Sequence, residues 1–141
     1  MSKQILSIDQ MKHLKELGVD VSKASAYWYR IFQDKGDGHI RIILDWKPTF
    51  SLNLAFCTGL NLEAINAFTL QDILDILPNK IYNDCYLHIE QHYLNGEVWD
   101  IYYMSIHAFV KMKMTTETNL IDAAYEMLCW CIEKGDVSTD K

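Results

Sequence analysis

The stretch that most constrains the fold is YLHIEQHYLNGEVWDIYY, residues 86–103, in which two alternating runs flank Asn95-Gly96. Both of these residues tolerate positive φ, and the dipeptide is among the strongest short signals for a β-hairpin. Side chains on a strand alternate between its two faces. The sequence therefore predicts an antiparallel hairpin whose two faces differ in character.

A two-residue turn at Asn95-Gly96 would place Leu94 opposite Glu97. Counting outward from that pair puts six side chains on one face, which we take as a candidate binding surface: His88, Glu90, His92, Trp99, Ile101 and Tyr103. The other face is more apolar and is predicted to pack beneath helices. The six-residue face is then either the outer one or is covered by the segment 47–68.

The two histidines could suggest a metal site, but their spacing argues against one. His88 and His92 are separated by about 13 Å on an extended strand at ~3.3 Å per residue. Metal ligands must converge to roughly 2 Å from one ion. The pattern instead favours an ordinary sheet face or a binding surface, because tryptophan, tyrosine and histidine supply contact area with polar tips. We predict no metal and no cofactor.

Helix boundaries can be read from capping patterns. Ser7 with Gln10 and Thr69 with Asp72 have the spacing of capping boxes. Asn119 is placed to cap a third helix, NLIDAAYEMLCWCIEKG. In this last helix the 100° step per residue puts Cys131 on the apolar face and Cys129 on the opposite side.

The remaining strands are predicted from alternation. AYWYRIF and HIRIILDW are joined by a glycine-containing stretch, 34–38, which is typical of a second hairpin. FVKMKM at 109–114 predicts a further short strand with lysines at its edge. The segment 47–68 has no clear period, and we expect it to be packed, with a short helix near 62–67.

These elements predict an α+β fold: two β-hairpins in a mainly antiparallel sheet with about three helices packed on one face. The 141 residues fit a single globular domain, 1–141, with flexible termini at 1–5 and 136–141. A homodimer is expected, because hairpin strands leave unpaired edges and the aromatic faces are broad for a chain of this size.

Charge and cysteine content exclude several classes of protein. The net charge of −6 and the pI near 5.2 disfavour a global electrostatic grip on nucleic acid or on an anionic membrane. The four cysteines lack the C-x-x-C spacing of metal sites, and a disulfide scaffold is not expected in a chain of this size. The N-terminus soon becomes charged, and no apolar run reaches membrane-spanning length. We therefore expect a cytoplasmic, reduced protein.

Three stretches, AFTLQDILDILP, YLHIEQHYLNGEVWDIYY and NLIDAAYEMLCWCIEKG, resemble in that order a group of small uncharacterised proteins of bacterial genomes and prophages. The resemblance spans roughly residues 66 to 135. It implies cytoplasmic residence and an accessory role in a mobile element. It carries no catalytic or binding residues over to this chain.

No phosphate loop, nucleophile elbow, H-E-x-x-H or dinucleotide fingerprint is present in the sequence. The favoured interpretation is a non-catalytic protein-interaction domain, such as a phage or mobile-element accessory that binds a host or viral protein. The alternative is a small-ligand-binding protein, or an enzyme with an unfamiliar site, that uses His88, Glu90 or His92 as acid–base groups. A deep pocket beside these residues would favour the alternative, and a flat surface would favour protein contact.

Overall fold

The computed structural model describes residues 3–32, 40–46, 61–93 and 96–137. Within these ranges the chain forms three α-helices and seven strands, with a short 3₁₀ helix at Val21–Lys23. In chain order the elements are α1 (Ile8–Glu16), β1 (Ala26–Phe32), β2 (Ile40–Trp46), β3 (Asn61–Ala67), α2 (Leu70–Ile76), β4 (Lys80–Ile81), β5 (Cys85–Tyr93), β6 (Glu97–Ser105), β7 (Lys111–Glu117) and α3 (Leu120–Glu133).

The strands form two antiparallel sheets, one with the order β2-β1-β3 and one with the order β4-β5-β6-β7. The predicted α+β class is confirmed, and so are the pairings of both hairpins, β1 with β2 and β5 with β6. The hairpins belong to separate sheets rather than to one. Strand β3 pairs with the second edge of β1, and the β5–β6 hairpin pairs instead with β4 and β7.

The prediction of a short helix near 62–67 is wrong, because β3 covers these residues. It pairs with β1 along its whole length, with Ile65 opposite Trp28. Leu, Glu and Ala favour a helix locally, but a free strand edge provides backbone partners that outweigh so weak a preference. The rest of the segment, 47–60, and the predicted turn at 34–38 lie outside the described residues.

The two predicted capping boxes are confirmed. The Ser7 hydroxyl accepts from the Gln10 amide at 3.1 Å, and the Gln10 side chain accepts from the Ser7 amide at 2.9 Å. Thr69 and Asp72 make the same reciprocal pair at 3.2 and 2.9 Å. These bonds satisfy amide groups that the first turn of a helix leaves without partners.

The third helix begins after Asn119, as predicted, but this side chain makes no capping bond to the helix. Its carboxamide oxygen instead accepts from the backbone amide of Lys3 at 3.3 Å, and the Lys3 ammonium contacts Asp122 at 2.7 Å. Ile5 is buried and bridges Thr69. Residues 3–5 therefore contact the rest of the chain through Asn119, Asp122 and Thr69, and the expected flexibility of the two termini stays a prediction.

The core lies between the helices and one face of the four-stranded sheet. Helix α3 contacts β6 and β7, and helix α2 packs against α3. The largest fully buried side chains come from the three helices, from β6 and from the residues just before α1 and α2: Leu6, Leu14, Phe68, Ile73, Ile101, Tyr103, Ile121, Met127, Leu128 and Cys131. No helix among the described residues is long and apolar enough to cross a membrane.

Candidate functional site

The pairing of β5 with β6 differs by one residue from the prediction. Tyr93 lies opposite Glu97, so three residues, 94–96, connect the strands instead of two. The last of them, Gly96, adopts φ +133°. His92 consequently pairs with Val98 and not with Trp99. Because side chains alternate along a strand, a one-residue slip moves every partner on β6 to the other face.

The six predicted surface residues are therefore divided between the two faces of the sheet. Trp99, Ile101 and Tyr103 face the helices, and the predicted shared face is wrong for these three. Ile101 and Tyr103 are fully buried, and the Tyr103 hydroxyl donates to the carbonyl of Pro78 at 2.6 Å. Ile101 and Tyr103 therefore belong to the core.

The other three residues do share a face, as predicted from alternation within β5. We call this surface the histidine face. It consists of the side chains on the side of the sheet that faces away from α3: Tyr86, His88, Glu90, His92, Val98, Asp100, Tyr102, Met104, Lys111, Met114 and Thr116. The contributions from β7 were missed because the sequence did not indicate that β7 pairs with β6. The alternation in FVKMKM was the available signal.

Tyr102 is the centre of one cluster on the histidine face. The His88 ring stacks on it at 5.1 Å between centroids and 6° between planes, and the Lys111 ammonium lies 4.3 Å from its centroid. The Tyr102 hydroxyl donates to Glu90 at 3.1 Å. Desolvation and the carboxylate of Glu90 raise the pKa of Tyr102. The phenol therefore stays protonated and remains a hydrogen-bond donor at neutral pH.

A second cluster surrounds Asp100, a buried carboxylate on the same face. It accepts from Thr116 at 2.7 Å and lies 2.8 Å from Nε2 of His92. The His92 Nδ1 atom is buried and has no partner among the described residues. In a catalytic triad, the histidine bonds a nucleophile through the nitrogen that does not face its carboxylate. Here Thr116 bonds the carboxylate instead, so the arrangement orients His92 without activating a hydroxyl.

The histidine face includes large exposed side chains. Tyr86 and Met114 are 40% and 45% exposed. A cleft at Trp99 and a depression at Cys129 are lined by other residues, and neither contains His88, Glu90 or His92. In the described part of the chain, no three His, Cys, Asp or Glu side chains are grouped to hold a metal ion.

A cleft of about 580 Å³ lies on the other side of the sheet, where Trp99 reaches the starts of α2 and α3. Its apolar lining comes from Leu70, Leu74, Trp99, Leu120 and Ile121, and its polar lining includes Gln4, Gln71 and Thr118. Sequence reasoning missed this site because its walls come from five separate segments of the chain. Trp99 is thus a lining residue of a cleft, not part of the histidine face.

A shallower depression of about 310 Å³ contains His13, Tyr125 and Cys129. The His13 Nδ1 atom lies 2.5 Å from the Tyr125 hydroxyl and 3.8 Å from the Cys129 sulfur. Burial and the carboxylates of Glu133 and Glu126 raise the pKa of Cys129. Reactive cysteines have a lowered pKa, so this thiol is not an activated nucleophile.

Comparisons of the chain with protein-family models, with curated proteins and with solved structures find no match. The resemblance to bacterial and prophage proteins therefore stays a prediction.

Proposed function

We propose that the protein is a non-catalytic interaction domain that binds another protein through its histidine face. The observation that carries this proposal is that His88, Glu90 and His92 share one face of the sheet and line neither of the two clefts. Tyr86 and Met114 flank them with large exposed side chains. Aromatic residues and methionine are enriched at protein interfaces, and methionine adapts its shape to a partner.

The polar groups of this face are already ordered by contacts within the chain. Tyr102 is held by His88, Lys111 and Glu90, and His92 is held by Asp100. Binding costs less side-chain entropy when the contacting groups are fixed beforehand. The centre of the histidine face is therefore preorganised for contact, with Tyr86 and Met114 as its apolar anchors.

The proposal predicts that Tyr86→Ala combined with Met114→Ala reduces the recovery of a specific partner by about tenfold or more, since truncated anchors commonly cost 1–2 kcal/mol each. Affinity purification from the native host, with quantitative mass spectrometry, measures this change. Both residues are substantially exposed, so the variant should fold normally. Circular dichroism melting checks that expectation.

Tyr93→Ala is the matched control. Tyr93 is a tyrosine on the same strand, is 74% exposed, and pairs with Glu97 on the opposite face. We expect it to retain the partner. A partner that is lost with Tyr93→Ala and kept by the Tyr86/Met114 variant would refute binding through the histidine face.

The cleft at Trp99 favours a second candidate function, the binding of a small ligand. Its volume lies within the range usual for ligand sites, and apolar walls with a few polar groups are typical of them. A bound compound would then perturb the fluorescence of Trp99, and substitution of Tyr86 would not affect its affinity. The other part of the alternative is an enzyme that uses His88, Glu90 or His92, and neither of the two clefts is lined by these residues.

The wider role is proposed from the sequence. We propose a cytoplasmic accessory protein of a phage or mobile element, whose partner is a host or viral protein. The acidic charge supports a protein partner over nucleic acid. We also propose that the protein is a homodimer.

A further inference from the structure

Strand β7 forms one end of the four-stranded sheet. At the other end, β4 already covers the start of β5 through Lys80 and Ile81. Among the described residues, no other element hydrogen-bonds to the outer side of β7. An edge strand of this length is a template for another strand, because its outward N–H and C=O groups need partners.

Two opposite charges lie on the helix-facing side of this edge. Lys113 lines the depression beside Tyr125 and Glu126, and the Glu117 carboxyl lies close enough to Glu126 to raise its pKa. Lys113 and Glu117 flank Thr115 symmetrically, two residues to each side. A strand with this arrangement is complementary to a second copy of itself running antiparallel.

We infer that two copies of the chain pair through β7 in an antiparallel register centred on Thr115, with Lys113 of each copy opposite Glu117 of the other. This inference rests on the proposed homodimer and specifies its edge and register. Opposite charges directly across an antiparallel pair stabilise it. The two-fold axis produces this contact twice, and the backbone bonds add to it.

Other symmetric registers are less favourable. Centring on Lys113 places like charges opposite each other, which destabilises the pairing. Centring on Met114 brings Lys111 opposite Glu117, but Lys111 lies over the Tyr102 ring on the histidine face, because the ladder shifts between Tyr103 and Met104. Only the register centred on Thr115 puts both charges on the same side of the sheet.

The carboxyl groups beside α3 support the same arrangement. Desolvation and the neighbouring Glu117 raise the pKa of Glu126 to about 7, and Lys113 of the same chain only partly offsets this effect. A second lysine opposite Glu117 would add positive charge at this acidic pair. Pairing also joins two four-stranded sheets into one of eight strands, with both histidine faces on the same side.

Cysteine cross-linking tests the register. In the inferred dimer, position 114 lies opposite position 116 of the second copy, with Cβ atoms about 4.5–5.5 Å apart, close to disulfide geometry. We expect Met114→Cys combined with Thr116→Cys to form a covalent dimer under mild oxidation. Met112→Cys combined with Thr116→Cys, which fits the register centred on Met114, and Thr116→Cys alone are the controls and should not cross-link.

Charge reversal tests the contact itself, with light scattering as the measurement. Wild type should have twice the 16.4 kDa chain mass. Lys113→Glu should raise the dimer dissociation constant about tenfold or more, because two attractive pairs become repulsive, each worth up to ~1 kcal/mol before the change of sign. Lys113→Glu with Glu117→Lys should restore it, and this rescue excludes simple misfolding.

A wild-type monomer would overturn both the homodimer and this inference. A wild-type dimer that is unaffected by Lys113→Glu and cross-links in neither cysteine pair would overturn the β7 interface and leave the homodimer standing. A dimer that cross-links through positions 112 and 116 would overturn the register.

Discussion

Tyr103→Ala should lower the free energy of unfolding by about 3–5 kcal/mol, the range for truncating a large buried aromatic side chain. Tyr103 is fully buried, and its ring lies 6.5 Å from that of Trp130 on α3. Its hydroxyl donates to the Pro78 carbonyl, and this acceptor would lose its partner. Urea denaturation, followed by far-ultraviolet circular dichroism, measures the change.

One variant separates the effect of the Tyr103 hydroxyl from that of the ring, and a second provides a control at an exposed tyrosine. Tyr103→Phe keeps the ring and removes the hydroxyl, so we expect a loss of about 1–3 kcal/mol. Tyr93→Ala removes an exposed tyrosine from β5 and should change stability by about 0.5 kcal/mol or less. If Tyr103→Ala were as mild as Tyr93→Ala, Tyr103 would have to lie on the outer face, as the two-residue turn predicted.

Cys129 should be alkylated at least about tenfold faster than Cys131 in the native protein, because a buried thiol is shielded and each unit of raised pKa lowers its thiolate fraction tenfold. Cys131 is fully buried, and burial raises its pKa to about 11. Cys129 is partly exposed, so iodoacetamide can reach it. Its own pKa is raised, so the absolute rate should be modest.

Peptide mapping after a brief iodoacetamide pulse gives both rates in one sample. Unfolding in urea should make the two thiols react at similar rates, which controls for digestion and detection. Cys129→Ser should abolish the fast modification and leave Cys131 unreactive. Faster labelling at Cys131 would mean that the wrong face of α3 has been placed inward.

The sequence was informative wherever local chemistry decides the structure. Both capping boxes depend on two side chains three residues apart, and both are present. The hairpin of β5 and β6 follows from the conformational freedom of Asn95-Gly96. The common face of His88, Glu90 and His92 needs only the alternation of one strand, and their placement on one face was predicted correctly.

The predicted register of β5 with β6 was wrong because the register depends on the number of residues that connect the two strands. The Asn-Gly signal predicts a reversal, but a turn of two residues and a connection of three both accommodate it. The choice between them decides whether Trp99 faces outward or lines the cleft. Burial of Ile101 and Tyr103 against α3 favours the three-residue connection, and this tertiary contact cannot be read from local sequence.

The role of β7 in the histidine face and the strand structure of β3 could not be predicted for a related reason. Lys111 and Met114 join the histidine face only through the pairing of β7 with β6, and β3 is a strand only because it pairs with β1. Partners distant in sequence determine both outcomes. Asn119 shows the same effect on a smaller scale, since its side chain bonds to Lys3 instead of capping α3.

Backbone nuclear Overhauser effects across β5 and β6 show whether the six predicted surface residues are divided between the two faces of the sheet. We predict inter-strand contacts that place Glu90 opposite Asp100 and His92 opposite Val98. Contacts that place Glu90 opposite Ile101 and His92 opposite Trp99 would contradict the account, because all six residues would then share one face.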